Sequence, residues 1–424
     1  MAGFSLHLTL LKSFLLTLVI LNYMANLKFE TLTFADIGDY VEATFLKLFA
    51  FRLEHQALDK LGKWKITGSN ELSFAGASQE SAEKKFNHLL AAGFDNLYNR
   101  MSKKKAVYIH RNSGIPLIGS IFIGLMDKNV STIEVKPVTS CNTDCIFCSV
   151  DLTRRFTDFV VEKDYLVEEF RKLVEFKQSD YIEANINPHG EPTIYGDLVP
   201  LVRDLSKVPN VKSITMNTNA TLLTRKLMDD LIDAGMTRFN VSIHSLNPEK
   251  GKMLFNTKIY DVNRVKESCR YLASRGKLLM APVWVPGTND EDMDELIEFA
   301  KEINAPIRMQ NYQVHAKGKK VKGAKEKEWD VYFKELQEME NKHGVQLIGS
   351  FPGFVLKQTK KLSMPFSMDQ VVNAKIICSG EFKGDVLAVA ENRCISIPRS
   401  PRQSGNVKVR ITRAKYNTFF GEIV

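Results

Sequence analysis

CNTDCIFC, residues 141–148, sets Cys141, Cys145 and Cys148 at CxxxCxxC spacing. Thiolates so spaced suit three corners of a [4Fe–4S] cube, which leaves one iron without a protein ligand. Clusters that only carry electrons are usually tied by four cysteines, so an open corner points to a site where a small molecule chelates iron directly. The other reading of three close cysteines is a structural zinc site, which needs a fourth nitrogen or sulfur ligand. No second CxxC and no nearby HxxxH supplies one. Cys269, Cys378 and Cys394 fall in stretches that read as helix, strand and strand, as single buried thiols do. A disulfide framework lacks its usual setting, a small secreted scaffold.

With the aromatic Phe147 just before the third cysteine, this run resembles the signature of the radical S-adenosylmethionine (radical SAM) superfamily. The resemblance implies that the open iron takes the amino and carboxylate groups of SAM. It also implies that the reduced cluster breaks the sulfur–C5′ bond to give a 5′-deoxyadenosyl radical, the cofactor supplying the chemistry and the protein aiming it. A second segment, NPHGEPTIYG at residues 187–196, is similar to the family's GGEP segment. Gly190, Glu191 and Pro192 match it, and His189 stands where the first glycine usually is. In the family this backbone binds the SAM amino group, so a carbonyl near Gly190 is the expected acceptor. Taken alone, GEP is equally a plain turn.

From about residue 131 strand-like and helix-like segments alternate, as in a parallel sheet with crossover helices. Candidate strands are residues 132–137, 181–186, 211–217, 237–243, 277–285 and 306–312. Amphipathic helices over 163–176, 223–234, 261–275 and 290–303 fill gaps between them. Six such units match the partial barrel of the radical SAM superfamily, in which functional residues lie beyond the carboxyl ends of the strands. That rule places the cysteine loop after the first strand, GEP after the second, Asn217 and Asn219 after the third, Ser242 after the fourth and Val285 after the fifth. The resemblance implies that Phe147, Gly190, Glu191, Asn217, Asn219, Ser242 and Val285 surround SAM. Thr221 or Thr224 reads instead as the cap of the helix that follows, and Asp290 as the cap of the next.

The net charge of +9 is concentrated at one end: residues 313–424 hold 20 Lys/Arg against 11 Asp/Glu, an excess equal to that of the whole chain. A basic run, Lys317, Lys319 and Lys320 among it, leaves the sixth strand and enters a helix expected over 325–342. After about residue 363 short β-rich segments follow one another at close spacing, which suggests a small barrel. GNVKVRITRAKYNTFFGEIV, residues 405–424, resembles the TRAM module, a small RNA-binding barrel found on RNA-modifying enzymes. Lys408, Arg410, Arg413, Lys415 and Tyr416 alternate charge with an aromatic, a pattern suited to tracking a phosphate backbone and stacking a base. Outward Lys and Arg on any small barrel would look much the same.

The expected fold class is α/β: a partial (β/α)6 TIM-type barrel with an N-terminal α+β cap and a small C-terminal β-barrel of TRAM or OB-like kind. The expected divisions are an apolar extension at 1–23, a cap at 24–130, the radical core at 131–312, a basic loop and helical connection at 313–362 and the barrel at 363–424. In the cap, helices are expected around residues 40–61 and 81–92. The extension has about ten uninterrupted apolar residues, too few to span a bilayer, and lacks a basic n-region and a cleavage site. No membrane association is expected, and an oxygen-sensitive cluster suits a reducing cytoplasm.

These readings make the chain a radical SAM enzyme with a [4Fe–4S] cluster and SAM as cofactors. Its expected partners are RNA, with tRNA the first choice, and a one-electron reductant such as a ferredoxin or flavodoxin. The alternatives are the same radical chemistry on a protein side chain or small metabolite, and a non-catalytic Fe–S protein that binds RNA. Methylthiolation would require an additional three-cysteine cluster domain, and no cysteine precedes Cys141.

Overall fold

The computed structural model describes residues 24–349 and 354–424, and the apolar extension of residues 1–23 lies outside them. No helix among the described residues is long and apolar enough to cross a membrane. The chain divides after Val107 into two compact units.

The first unit contains strands β1 (Met24–Lys28), β2 (Leu32–Asp36), β3 (Tyr40–Phe45) and β4 (Phe49–Glu54), then helix α1 (His55–Asp59). Strands β5 (Lys63–Gly68) and β6 (Glu71–Ala75), helix α2 (Gln79–Asp95) and β7 (Tyr98–Asn99) follow. Strands β1, β6 and β5 form one antiparallel sheet, and β2, β3, β4 and β7 pair antiparallel in another. Helix α2 covers the helix expected over 81–92; Ser78 caps it, and its buried Phe86 packs on Phe29, Phe34 and Phe74. The helix expected over 40–61 is instead the β3–β4 hairpin with only the short α1 behind it. Leu46 and Lys47 take positive φ at the turn, which ends any helical run. Val41, Ala43 and Phe45 are buried on β3, and Phe49, Phe51 and Leu53 on β4, an alternation that a half-buried sheet stabilises.

Strand β8 (Lys105–Ile109) spans the boundary. The second unit begins with β9 (Gly124–Asp127), β10 (Thr132–Lys136), β11 (Thr157–Val161), helix α3 (Lys163–Lys177) and β12 (Ile182–Ile186). It continues through α4 (Leu198–Ser206), β13 (Val211–Thr218), α5 (Arg225–Asp233), β14 (Arg238–Val241), α6 (Pro248–Phe255) and α7 (Val262–Ser274). Then come β15 (Leu278–Met280), β16 (Val283–Trp284), α8 (Asp290–Glu302), β17 (Gln310–Asn311) and α9 (Trp329–His343). Strands β10, β12, β13, β14 and β15 are parallel neighbours, and β9, within the expected cap range, joins their edge antiparallel to β10. The fifth strand was expected whole over 277–285. It breaks at Pro282, which has no N–H to donate to a ladder, and β16 pairs anew with β17. The sheet is the half-barrel expected from the sequence, and its strand ends carry the loops described below.

Strands β18 (Val371–Ser379), β19 (Val386–Ala390), β20 (Arg393–Ile397), β21 (Gly405–Lys415) and β22 (Thr418–Ile423) close a five-stranded barrel. Its core includes Ile376, Val386, Ile395, Val409, Ile411 and Phe419. Closure leaves no open sheet edge. The fold is thus α/β, with a partial barrel, an N-terminal α+β unit and a small C-terminal β-barrel.

Candidate functional site

The cysteine loop leaves the carboxyl end of β10 and is held from several sides. From α6, the carbonyl of Phe255 accepts from Asp144 N–H at 3.1 Å and that of Leu254 from Ile146 N–H at 3.1 Å. Helix α6 starts at Pro248 with Asn247 as its cap, accepting from two N–H groups, so the Asn-Pro pair stops the chain and points its C-terminal carbonyls at the loop. From the segment after β17, Lys319 N–H donates to the Cys148 carbonyl at 2.9 Å, and Lys319 Nζ pairs with Asp144. From the loop after β12, Glu191 N–H donates to the Ser140 carbonyl at 2.9 Å. A Cβ on Gly190 would stand 2.1 Å from the Ser140 oxygen and 2.4 Å from that of Thr139, so only glycine lets the two loops lie this close.

Glu191 is buried and accepts from Thr193 N–H, Thr193 Oγ1, Thr218 Oγ1 at 2.7 Å and Asn219 N–H at 2.8 Å. Burial pushes its carboxyl up, and these donors oppose the shift. Asn219 in turn donates to Asn142 Oδ1 at 2.9 Å, and its Oδ1 accepts from Thr221. Glu191 and Asn219 therefore brace the loops after β12 and β13 against the cysteine loop. Asn217 stands in an amide ladder, donating to Asn187 and accepting from Asn240.

A cavity of about 450 Å³ lies at these strand ends. All three cysteines line it, together with Phe147, Gly190, Glu191, Asn217, Asn219 and Ser242. Thr143 Oγ1 sits 3.4 Å from Cys141 Sγ and 3.6 Å from Cys145 Sγ, and Val150 N–H points at Cys148 Sγ at 3.5 Å. Burial pushes the Cys141 thiol up to about 11, and raises Cys145 and Cys148 as well. Iron ligation takes thiolates, so loading the site releases protons. Among the described residues no three His, Cys, Asp or Glu side chains are placed to hold a metal ion. A cuboidal cluster spaces its thiolates wider than a single ion does.

The cavity wall also contains His244, which the sequence reading did not single out although it lies in the strand-end segment SIHS. Phe147 meets its ring edge-on at 4.8 Å, and its Nδ1 accepts from Val283 N–H at 3.0 Å. Burial lowers its pKa to about 3, so it stays neutral. Val285 is buried but lies behind the cavity wall, packed with Tyr312, Val321 and Ala324; Val283 takes the lining position. Thr224 caps α5. Asp290 does not cap α8, because its carboxylate accepts from Trp284 Nε1 and Gly287 N–H and the N-cap position falls on Asn289.

Residues 135–300 match the model of the radical SAM superfamily. An uncharacterised protein of Methanocaldococcus jannaschii, MJ0103, is 34% identical over 365 residues, 78% of this chain and 83% of that one. The chain belongs to the radical SAM superfamily. It is an enzyme, and its cofactors are a [4Fe–4S] cluster and SAM. The GTP 3′,8-cyclase of Aquifex aeolicus is 28% identical over 189 residues, 44% of this chain and 58% of the cyclase, so the likeness spans little more than half of that enzyme. The crystal structure of Streptococcus suis SuiB overlaps 76% of this chain and 70% of its own at a TM-score of 0.41 and 15% identity.

The residues present fit radical SAM cofactors: three thiols face one cavity, whose wall also carries Gly190, Asn217, Asn219 and Ser242. Ser242 lines that cavity with no hydrogen-bond partner for its hydroxyl among the described residues.

Of the cations that the sequence reading assigned to RNA, Lys317 pairs with Asp385 at 2.8 Å and Lys319 with Asp144, whereas Lys320 is exposed. Lys408, Arg410, Arg413, Lys415 and Tyr416 are exposed on β21 and the turn after it. Sequence reasoning also missed Arg155. Buried, it donates to the carbonyls of Thr139 and His189 and to Glu381, and no local pattern marks it.

Proposed function

We propose that this radical SAM enzyme modifies RNA, with tRNA the first substrate to try. The observation that carries the reading is the outer face of β21. Val407, Val409 and Ile411 turn into the small barrel, while Lys408 and Arg410 turn outward beside Asn373 and Val371 of β18, with Lys375 two residues along. Arg413, Lys415 and the exposed Tyr416 continue the row. Cations in line with an aromatic suit a phosphate backbone and an unstacked base.

In this reading Cys141, Cys145 and Cys148 hold three irons of the cluster, and the bound cluster and SAM together supply a 5′-deoxyadenosyl radical. A carbonyl near Gly190 would accept from the SAM amino group, Ser242 would offer a hydroxyl, and Phe147 with the neutral His244 would line one wall beside it. Glu191 and Asn219 hold the loops in register. A base within folded RNA must be exposed or flipped to reach such a recess. One relative, GTP 3′,8-cyclase, is named for action on GTP, so a nucleotide substrate has company among the chains similar to this one. A ferredoxin or flavodoxin is the proposed electron source, and Lys320 is a further proposed phosphate contact.

The test is anaerobic SAM cleavage by cluster-loaded protein, following 5′-deoxyadenosine with and without total tRNA, beside a C141A/C145A/C148A control. Cleavage that needs the cysteines and rises with tRNA is expected. Cleavage indifferent to tRNA, or raised by a peptide or metabolite fraction instead, overturns the RNA assignment.

A further inference from the structure

A second cavity, of about 670 Å³, adjoins the first. Ser149, Val150, Asn187, Pro188, His189 and His315 line both, so the two share a wall. The far side is built by the C-terminal barrel, which contributes Pro398, Thr412, Arg413 and Phe420. Much of the remaining lining is apolar, with Ile121, Met126, Val150 and Pro188 joining Phe420.

The cations around it differ in what they already hold. Lys128 and Lys136 both pair with Glu134, at 2.5 and 2.7 Å, and Lys317 pairs with Asp385. Arg413 has no carboxylate partner among the described residues; its guanidinium lies 5.7 Å from the centre of the Phe420 ring. The ladder between β21 and β22 slips between Ile411 and Arg413, so Thr412 and Arg413 both face outward where strict alternation would bury one of them. Such a bulge re-aims a side chain. His315, exposed and with no hydrogen-bond partner for its ring among the described residues, stands on the shared wall.

We propose that this second cavity is a nucleotide site, with a base lying against the Phe420, Met126 and Pro188 wall and its phosphate held by Arg413 and His315. An apolar recess rimmed by one uncommitted guanidinium and one imidazole suits a ligand with a flat apolar body and an anionic group. A neutral peptide side chain or an uncharged metabolite would leave Arg413 without a counter-charge. The site deepens the RNA reading, on which it rests for the nucleotide being part of a polymer. It also places the small barrel's role beside the radical source as well as on the barrel's outer face.

The experiment measures binding of the four nucleoside 5′-monophosphates and their parent nucleosides to the full, cluster-loaded chain saturated with S-adenosylhomocysteine, by anaerobic calorimetry. A charge-assisted contact to phosphate predicts that at least one monophosphate binds roughly tenfold or more tightly than its nucleoside. R413A and R413E should erase that advantage and R413K keep part of it. F420A should weaken monophosphate and nucleoside alike. No advantage for any of the four pairs, or an advantage that survives R413E, overturns the site. If the advantage is absent while tRNA still raises SAM cleavage, the site fails and the RNA reading stands. An Arg413-dependent advantage with no response to tRNA keeps the site and replaces RNA by a free nucleotide.

Discussion

Arg155 donates from Nη2 to Glu381 Oε1 at 2.8 Å, joining two buried side chains that lie 226 residues apart in the chain. The same guanidinium donates to the carbonyl of Thr139, just before the cysteine loop, and at 2.8 Å to that of His189, beside GEP. One buried cation thus holds the β18–β19 connection of the small barrel against both loops of the radical site. Removing one partner of such a pair strands a buried charge, at a cost of about 3–5 kcal/mol. Arg155→Met should lose that much stability in anaerobic urea denaturation, and Arg155→Met/Glu381→Met should recover most of it. Equal stability of Arg155→Met and wild type would remove the latch.

The same region predicts acid sensitivity. Burial opposes ionisation of Glu381, yet His189 and Arg155 hold its carboxyl down to about 2 from 4.5. Its stabilisation is present above pH 4.5 and is lost as pH falls toward 2. His244 titrates at 6.5 in an unfolded chain and at about 3 when buried. Between those values the unfolded state binds more protons, so stability falls as pH drops from 6.5 toward 3, by up to about 1.4 kcal/mol per unit. His244→Leu should reduce the slope between pH 6 and 5, where Glu381 contributes little, and leave the part that burial of His189 supplies by lowering its pKa in the same way. An unchanged slope would show that His244 is not buried neutral.

Gly190→Ala tests the close approach of the two loops. Its Cβ would meet backbone oxygen at 2.1 Å, with no flexible side chain to give way. Overpacking of this kind costs about 1–3 kcal/mol, and parting the loops should lower both iron content and SAM binding. Iron and sulfide analysis beside equilibrium dialysis with SAM reads both, and normal values for the variant would contradict the packing.

Five of the six cysteines should separate cleanly. Alanine at Cys141, Cys145 or Cys148 should abolish the reconstituted cluster's absorbance, whereas serine at Cys269 or Cys378 should leave it. Cys269 is buried in α7 and Cys378 lies on β18, neither lining the cysteine cavity. Retention of a full cluster by any triad variant would call for a different ligand set.

On the outer face of β21, Lys408→Glu should weaken tRNA binding more than Arg410→Glu, because Glu422 already faces Arg410 at 3.5 Å. Each lost phosphate contact should reduce the slope of log affinity against log salt by about 0.7–0.9. Filter binding over a salt series measures this, and parallel slopes for wild type and Lys408→Glu would exclude that contact.

Much of this architecture was legible in the sequence, because it is written in short-range patterns. The cysteine spacing, the apolar parallel strands 132–137, 181–186, 211–217 and 237–243, and the alternation of Val407, Val409 and Ile411 with Lys408 and Arg410 each depend on neighbours a few residues away. The hairpin at Tyr40–Glu54 misled, since its apolar residues also fit a helical face until the positive φ of Leu46 and Lys47 is known.

The sequence by itself determined which chemistry the chain can hold: three thiols on a loop after a strand, a GEP turn one unit later and a cationic strand at the end. Only the tertiary structure decided what each polar residue is used for. Glu191 and Asn219 hold loops together, Lys317 and Lys319 spend their charge inside the protein, Arg155 finds Glu381, and Arg413 stays uncommitted at the wall of a cavity. Ion pairs and cavity walls form between residues tens or hundreds of positions apart. Their partners are therefore set by how the layers pack and by the cost of burying a charge alone, and no local pattern encodes either.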